Sequence, residues 1–552
     1  MKANGVAIND LHAHALLKLP DIMAKEGDVH FNEPGYRHLA DKVAAEILSS
    51  LEKKTTASSL ALPASLTADD NDRKAPNIIF IMADDMAWAD VGYNGQQDFE
   101  TPHIDQMAAD GMRFSDAYAG ASVCSPSRAC FLTGMYSPRH NIYHPGAKAR
   151  GQLSWMKLAV PNREQNNDTY DWFVATEELD PKFQSIAEVA KSSGYATARI
   201  GKWHVGPDEQ GFDVSASPGN DYRDRNGTKK LTDAGIKFMN DSKEKPFLLF
   251  LSYYDVHTPL LANKEVEKKY KAKQEKTGRD FNPAYAAMAE AVDTGVGRVR
   301  AELKKLKLDE NTLVIFTSDN GGFPGATNNH PLNGYKGNLY EGGIRIPTCM
   351  VWPGKIQKGA TCSTPITFVD YLPTFAELTG ASLDAHGQPI DGVSLVPLMM
   401  GNSIPERAIF WHFPLYADLS GRVKKAKAPG TFPVFGATRL YWRGVPATAM
   451  RRGNYKLIYF YEDQSFKLFD LGKDMGESKD LSRTRPKIAA QMLKELKDWT
   501  TTVNAPTPTQ LNPEFNPKAK KRKKKSKQAS NCLLYTSPSP RDRQKSRMPS
   551  SA

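Results

Sequence analysis

Two short acidic clusters stand where apolar runs end. Asp84-Asp85 comes after the run at 77–82, and Asp319-Asn320-Gly321-Gly322 after the run at 312–317. Three carboxylates and an amide oxygen are hard ligands, suited to Ca²⁺ or Mg²⁺ rather than to Zn²⁺, which favours His and Cys. At neighbouring strand ends they would repel one another unless a cation lay between them. Taken singly, each is also an ordinary strand-end turn. A third segment runs Cys124-Ser125-Pro126-Ser127-Arg128 and on to Leu132-Thr133-Gly134. Pro126 suits the first turn of a helix and Gly134 its end, which puts Cys124 at a helix N-terminus, where free amides and the dipole attract anions. Arg128, one turn in, faces the same way. The cysteine is then either a low-pKa thiolate nucleophile or a plain helix-start residue.

Such groups meet only if strands alternate with helices. The runs at 77–82, 247–251 and 313–316 read as fully buried strands. Thr101 and Pro102 open a helix that Gly111 closes. Phe183, Ile186 and Val189 mark a second helix, ended by Gly194 before a strand at 195–200, and Tyr285, Met288, Val292, Val296, Val299 and Leu303 mark a long one. The pattern predicts an α/β fold with a mostly parallel central sheet flanked by helices, whose ligands gather at the carboxyl ends of the strands. From about 405 the texture changes. Segments at 455–460 and 466–470, separated by polar turns, predict a smaller C-terminal antiparallel sheet, and 488–499 a C-terminal helix. The expected organisation is a catalytic domain over 76–404, an antiparallel subdomain over 405–504 and a disordered basic tail over 505–552.

The 552 residues hold 73 Lys and Arg against 62 Asp and Glu, a net charge of +11. All of that excess lies in 518–552, with twelve Lys and Arg and one acid, Asp542; the remainder balances at 61 of each. The folded body therefore shows no nucleic-acid signature. Five cysteines, none in a Cys-x-x-Cys pair, are too few for a disulfide scaffold. There is no apolar run of about 18 residues, so no membrane span is expected, and residues 1–20 lack the pattern of a secretory signal. Residues 52–75 read as a linker. Gly27-Asp28-Val29-His30 resembles the last block of SGNH esterases, in which Asp28 and His30 would complete a triad. No upstream Gly-Asp-Ser block supplies their serine, so 1–51 reads as a truncated remnant, or as a helix behind a polar loop. Residues 532–552 resemble translated sequencing-adapter segments and are expected to be an artefact.

Cys-x-Pro-Ser-Arg followed by Leu-Thr-Gly resembles the signature of type I sulfatases of the alkaline-phosphatase-like superfamily, whose cysteine is oxidised to formylglycine. Further elements resemble the family in the same order: 101–118, 194–206, Asp255-Val256-His257-Thr258-Pro259, 334–347, and 466–481 with Met475 where proline is usual. The likeness spans about 76–500. It implies hydrolysis of sulfate esters. The hydrated aldehyde at 124 would be the nucleophile, bound to Ca²⁺ or Mg²⁺ held by Asp84, Asp85, Asp319 and Asn320. Lys202 and Lys336 would clamp sulfate oxygens and Arg128 the oxygens of residue 124. His257 or Lys336 would protonate the leaving alcohol, and His204 would take the second hydroxyl's proton. Without the motifs, Lys202 and His204 would read as surface residues.

The resemblance also implies a sulfated small-molecule or polysaccharide substrate, a formylglycine-generating maturation enzyme as partner, and a periplasmic or secreted location. Specificity is expected in loops 145–180, 207–230 and 412–445, where Trp155, Tyr170, Trp172, Trp411 and Trp442 would suit a sugar. His140, His144, His330 and His412 are expected at the surface or pocket rim. A phosphomonoester or phosphodiester hydrolase of the same superfamily is the enzyme alternative. A non-catalytic polyanion binder using the run at 520–525 is the alternative of another class.

Overall fold

The computed structural model describes residues 75–516 except 147–153, 155, 159–174, 219–223, 384–386 and 417–443. The stretches around Asp28 and His30, the 52–74 part of the linker, the lysine run, residues 532–552, and Trp155, Tyr170, Trp172 and Trp442 lie outside the described residues.

The strands are β1 (Asn77–Ala83), β2 (Met112–Phe114), β3 (Ala117–Tyr118), β4 (Ala196–Gly201), β5 (Val214–Ala216), β6 (Phe247–Ser252), β7 (Thr312–Ser318), β8 (Cys349–Val351), β9 (Ala360–Cys362), β10 (Ile366–Thr367), β11 (Ala408–Phe413), β12 (Ala447–Arg452), β13 (Tyr455–Phe460) and β14 (Ser465–Asp470). The helices that build the core and the site are α1 (Pro102–Asp110), α2 (Cys124–Thr133), α3 (Ile186–Ser192), α4 (Gly227–Asp241), α5 (Pro283–Lys305), α6 (Glu341–Ile344), α7 (Tyr371–Thr379) and α8 (Pro486–Thr502).

The main sheet has the order β5-β4-β6-β1-β7-β8-β2-β9. Its first five strands are parallel, and β8 then runs antiparallel to both β7 and β2. β1 is buried at every position, as a central strand covered on both faces must be. Its side chains alternate between two cores. Ile78, Phe80 and Met82 face α2, α3 and α7, with Phe80 stacked on Phe131 at 4.2 Å between ring centroids. Ile79, Ile81 and Ala83 face α1, α4 and α5. Each fully buried ring or branched side chain contributes about 1.5–3 kcal/mol through apolar burial. Ser185 caps α3 in a reciprocal box with Glu188, and Asn282 caps α5. β11–β14 form an antiparallel sheet against which α8 packs, Trp499 stacking on Phe410 at 4.5 Å.

Two expectations need correction. Residues 505–516 are not disordered: Asn512 N donates to Lys157 O, Asn512 Nδ2 to Met156 O and Asn516 N to Ser154 O, each at 2.8 Å. The stretch lacks periodicity because its order comes from backbone pairing with 154–157 rather than from an apolar face. His140, His144 and His412 are buried, not at the surface, while His330 is exposed. His412 bonds Thr448 Oγ1 at 2.8 Å and donates to Pro506 O at 2.9 Å, and His140 packs against Cys130 Sγ at 3.5 Å. Buried imidazoles are tolerated where both nitrogens find partners. Among the described residues no helix is long and apolar enough to cross a membrane.

Candidate active site

Four adjacent parallel strands, β4, β6, β1 and β7, end level with one another. Gly201 pairs with Ser252, Ser252 with Met82, and Ala83 with Ser318. The residues just past each strand therefore converge. β1 delivers Asp84-Asp85, β7 delivers Asp319-Asn320, β4 delivers Lys202-Trp203-His204, and β6 leads to His257. Asp85 and His204 both turn through the left-handed region, with φ of 66° and 71°, which Asp and His tolerate better than most residues. α2 points its N-terminus at the same spot, is buried along its whole length, and has no side-chain cap at Val123. Lys336 arrives from the loop after β7, its N–H donating to Gly322 O at 3.0 Å.

Cys124 Sγ lies 3.6 Å from Asp84 Oδ1, 3.8 Å from Asp85 Oδ1 and 2.9 Å from Lys336 Nζ. Lys336 also pairs with Asp85, and Lys202 Nζ sits 2.5 Å from Asp84 Oδ2. Arg128 is held from three sides: Nε lies 3.0 Å from Asp319 Oδ2, and Nη1 donates to Lys202 O at 3.0 Å and to Ser252 Oγ at 2.6 Å. Arg128 and Asp319 are both 0% exposed. Losing one partner of such a pair costs about 3–5 kcal/mol, so the guanidinium has one available direction. Ser252 was not singled out by its sequence context. Only the register, which ends β6 beside Gly201 and Met82, identifies it.

Electrostatics follow from burial. Three buried carboxylates face three buried cations. Burial pushes Asp84 up to about 7, with Asp319 and Asp85 adding to the rise and Lys202 opposing it. Burial would also raise Asp85, but Lys336 and His257 outweigh it and hold that carboxyl well below its ordinary range. Asp319 is held low against its burial chiefly by Arg128. Burial and then Asp319 push the Cys124 thiol up to about 12, despite Lys202 and Lys336. That favours neither a thiolate nor a reactive thiol at neutral pH. Burial brings His257 down to about 3. His204, although the residue is exposed to solvent, is driven well below the ordinary imidazole range by desolvation and then by the charges of Lys202, Arg128 and Lys336.

The donor set fits a hard cation. Asp85 Oδ2 and Asn320 Oδ1 are buried and accept no hydrogen bond, each an omission that costs about 1–3 kcal/mol unless something else satisfies it. One ligand atom each of Asp84, Asp85, Cys124 and His257 falls within a 4.8 Å group. Asp319 stands outside that group, with Oδ2 on Arg128 and Oδ1 accepting Asp85 N–H at 3.1 Å.

Comparison with known proteins identifies the family. The sulfatase family model matches residues 76–381. A sulfatase of Formosa agariphila is 30% identical over 81% of this chain and 92% of its own. The mouse steryl-sulfatase is 29% identical over 60% of this chain and 66% of its own length. The solved structure of Ps i-CgsB in complex with k-i-k-neocarrahexaose is 27% identical, covers 77% of this chain and 93% of that one, and superposes with a TM-score of 0.61. A family match that takes in the sheet, α2 and the whole pocket, with a relative aligned over nearly its full length, settles the family: this chain belongs to the sulfatases, enzymes that hydrolyse sulfate esters.

Proposed function

We propose that this sulfatase removes sulfate from a sulfated carbohydrate, using formylglycine made from Cys124 and a bound Ca²⁺. The observation that carries the mechanism is the setting of Cys124. Its thiol is buried among two carboxylates and a lysine at a helix N-terminus and pushed up to about 12, so the unmodified side chain is a poor nucleophile placed where a good one is wanted. Formylglycine supplies a hydrated aldehyde, with one hydroxyl to attack sulfur and a second whose deprotonation lets sulfate depart, a route closed to serine. It requires a maturation enzyme as partner. Asp84, Asp85, Asp319 and Asn320 would hold a cation, which when bound would supply Lewis acidity toward a sulfate oxygen. Ca²⁺ suits these buried ligands better than Mg²⁺, which gives up its waters reluctantly. With two added charges the pocket becomes net positive, matching an anionic ester.

The chain's own residues do the rest. Arg128, fixed by Asp319 and Ser252, holds the oxygens of residue 124. Lys202 and Lys336 donate to the sulfuryl oxygens as charge builds on them. Of the two groups near the leaving oxygen, Lys336 is held protonated: burial would lower its pKa, but Asp85 outweighs that and raises it. His257 is neutral near pH 7 and orients through its bond to Thr258 O at 2.5 Å. His204, neutral beside Lys202 at the end of β4, is the group assigned to receive the second hydroxyl's proton as sulfate departs.

The carbohydrate substrate is supported by the oligosaccharide bound in Ps i-CgsB. Purified enzyme is expected to release sulfate from a panel of sulfated oligosaccharides at higher kcat/KM than from a steroid sulfate, and to prefer an aryl sulfate over the aryl phosphate. Preference for the steroid would overturn the substrate class, and preference for the phosphate would overturn sulfate chemistry.

A further inference from the structure

Glu341-Gly342-Gly343-Ile344-Arg345, the end of the 334–347 element, and the stretch at 466–481 place no group in the pocket. They meet behind it. Glu341 Oε1 accepts from Lys456 Nζ of β13 at 2.8 Å, Lys456 Nζ lies 2.9 Å from Glu477 Oε1, and all three side chains are 0% exposed. Glu477 Oε2 accepts the backbone N–H of Glu341 at 2.6 Å. Glu341 Oε2 also accepts from the Tyr118 hydroxyl at 2.7 Å and from Arg345 at 3.2 Å. Asp116 gathers Arg345 at 2.9 Å and Arg451 at 2.6 Å. Three carboxylates balance three cations. Desolvation largely offsets the attraction in such a network, so what it supplies is mainly directional contacts that hold α6 against β13.

The position of α6 in turn fixes the loop that carries Lys336. Gly342 N donates to Asn333 O at 2.7 Å and Gly321 N to Gly343 O at 3.0 Å. Asn329 Nδ2 donates to Gly342 O at 2.9 Å and to Gly334 O at 3.0 Å. A Cβ at Gly342 would stand 2.2 Å from Gly334 O, and one at Gly343 2.1 Å from Asn338 O. The backbone of α6 is thus interlocked with 333–338 and with the residue after Asn320, so a shift of Glu341 is passed to the turn around Lys336.

We propose that Lys456 and Glu477, both from the C-terminal antiparallel region, are positioning residues for Lys336: they seat Glu341, and through α6 they aim the Lys336 ammonium at residue 124. The inference rests on the reading of Lys336 as a sulfate-binding proton donor. The test uses the full chain with Cys124 matured. The paired change Lys456→Met with Glu477→Gln removes one cation and one anion at similar volume, and Glu477→Gln alone is the milder second variant should the pair not fold. The pair is expected to lower kcat/KM for an aryl sulfate by about 10²-fold, mostly in kcat, since a misplacement of about 1 Å remote from the chemistry can cost that much. Glu477→Gln moves in the same direction by less. In a Lys336→Ala background the same changes are expected to cost nothing further, because they act through the group already removed. Independent effects would instead multiply in rate to within about a factor of 2. An equal loss in both backgrounds, or wild-type kcat in the folded variants, would overturn the proposal. Lys336→Ala with wild-type kcat/KM would overturn both it and the reading it rests on.

Discussion

Cys124→Ala is expected to lose sulfate-ester hydrolysis by on the order of 10⁶-fold, the scale seen when a nucleophile is removed from an otherwise intact site. The chain should still fold. Cys124 is small, and its neighbours keep their own partners: Lys202 remains on Asp84, Lys336 on Asp85 and Arg128 on Asp319. The loss is of the atom from which the reactive carbonyl is made. Initial rates with an aryl sulfate, alongside a thermal melt, check both halves. A binder that relied on the basic run at 520–525 would behave in the opposite way, keeping its ligand after Cys124→Ala and losing it on truncation.

Removal of the cation has the second largest expected effect. Chelated enzyme should be inactive, Ca²⁺ should restore it, and the unfolding free energy should rise by about 2.7 kcal/mol at a Ca²⁺ concentration of 100 times Kd. The melt provides a readout independent of turnover. Its pH dependence is set by Asp84, pushed from 3.8 up to about 7 by burial first and its acidic neighbours next. A carboxyl raised on folding holds its proton more tightly in the folded chain. Its contribution to stability is therefore complete below 3.8 and lost as pH climbs through about 7. Ca²⁺ competes with that same proton, so the Ca²⁺-dependent rise in the melt should shrink as pH falls below about 7. A rise that did not change between pH 5 and 8 would remove Asp84 from the ligand set.

Much of this site was legible in the sequence because buried parallel strands are written as continuous apolar runs. Once 77–82 and 312–317 read as strands, the acids just beyond them had to lie at the same edge of the sheet. Cys124 was legible from Pro126 and Gly134, which bracket a helix. Lys202 and His204 were different: as single residues in a turn they carry no periodicity, and only resemblance marked them out. Ser252 carried no signal, since its role comes from strand register. The Glu341–Lys456–Glu477 cluster was hidden for a related reason. Its partners are 115 and 136 residues apart, and no local pattern reports a contact at that distance. The misjudged stretch at 505–516 shows the converse, a segment ordered by backbone bonds to a distant loop without an apolar face of its own.

The most direct test is mass spectrometry of the peptide spanning Cys124 from protein made in its native host. Residue 124 is expected to have lost its sulfur and two hydrogens and gained one oxygen, with the fraction converted tracking specific activity across preparations. Full sulfatase activity from protein whose residue 124 is entirely an unmodified thiol would contradict the formylglycine mechanism.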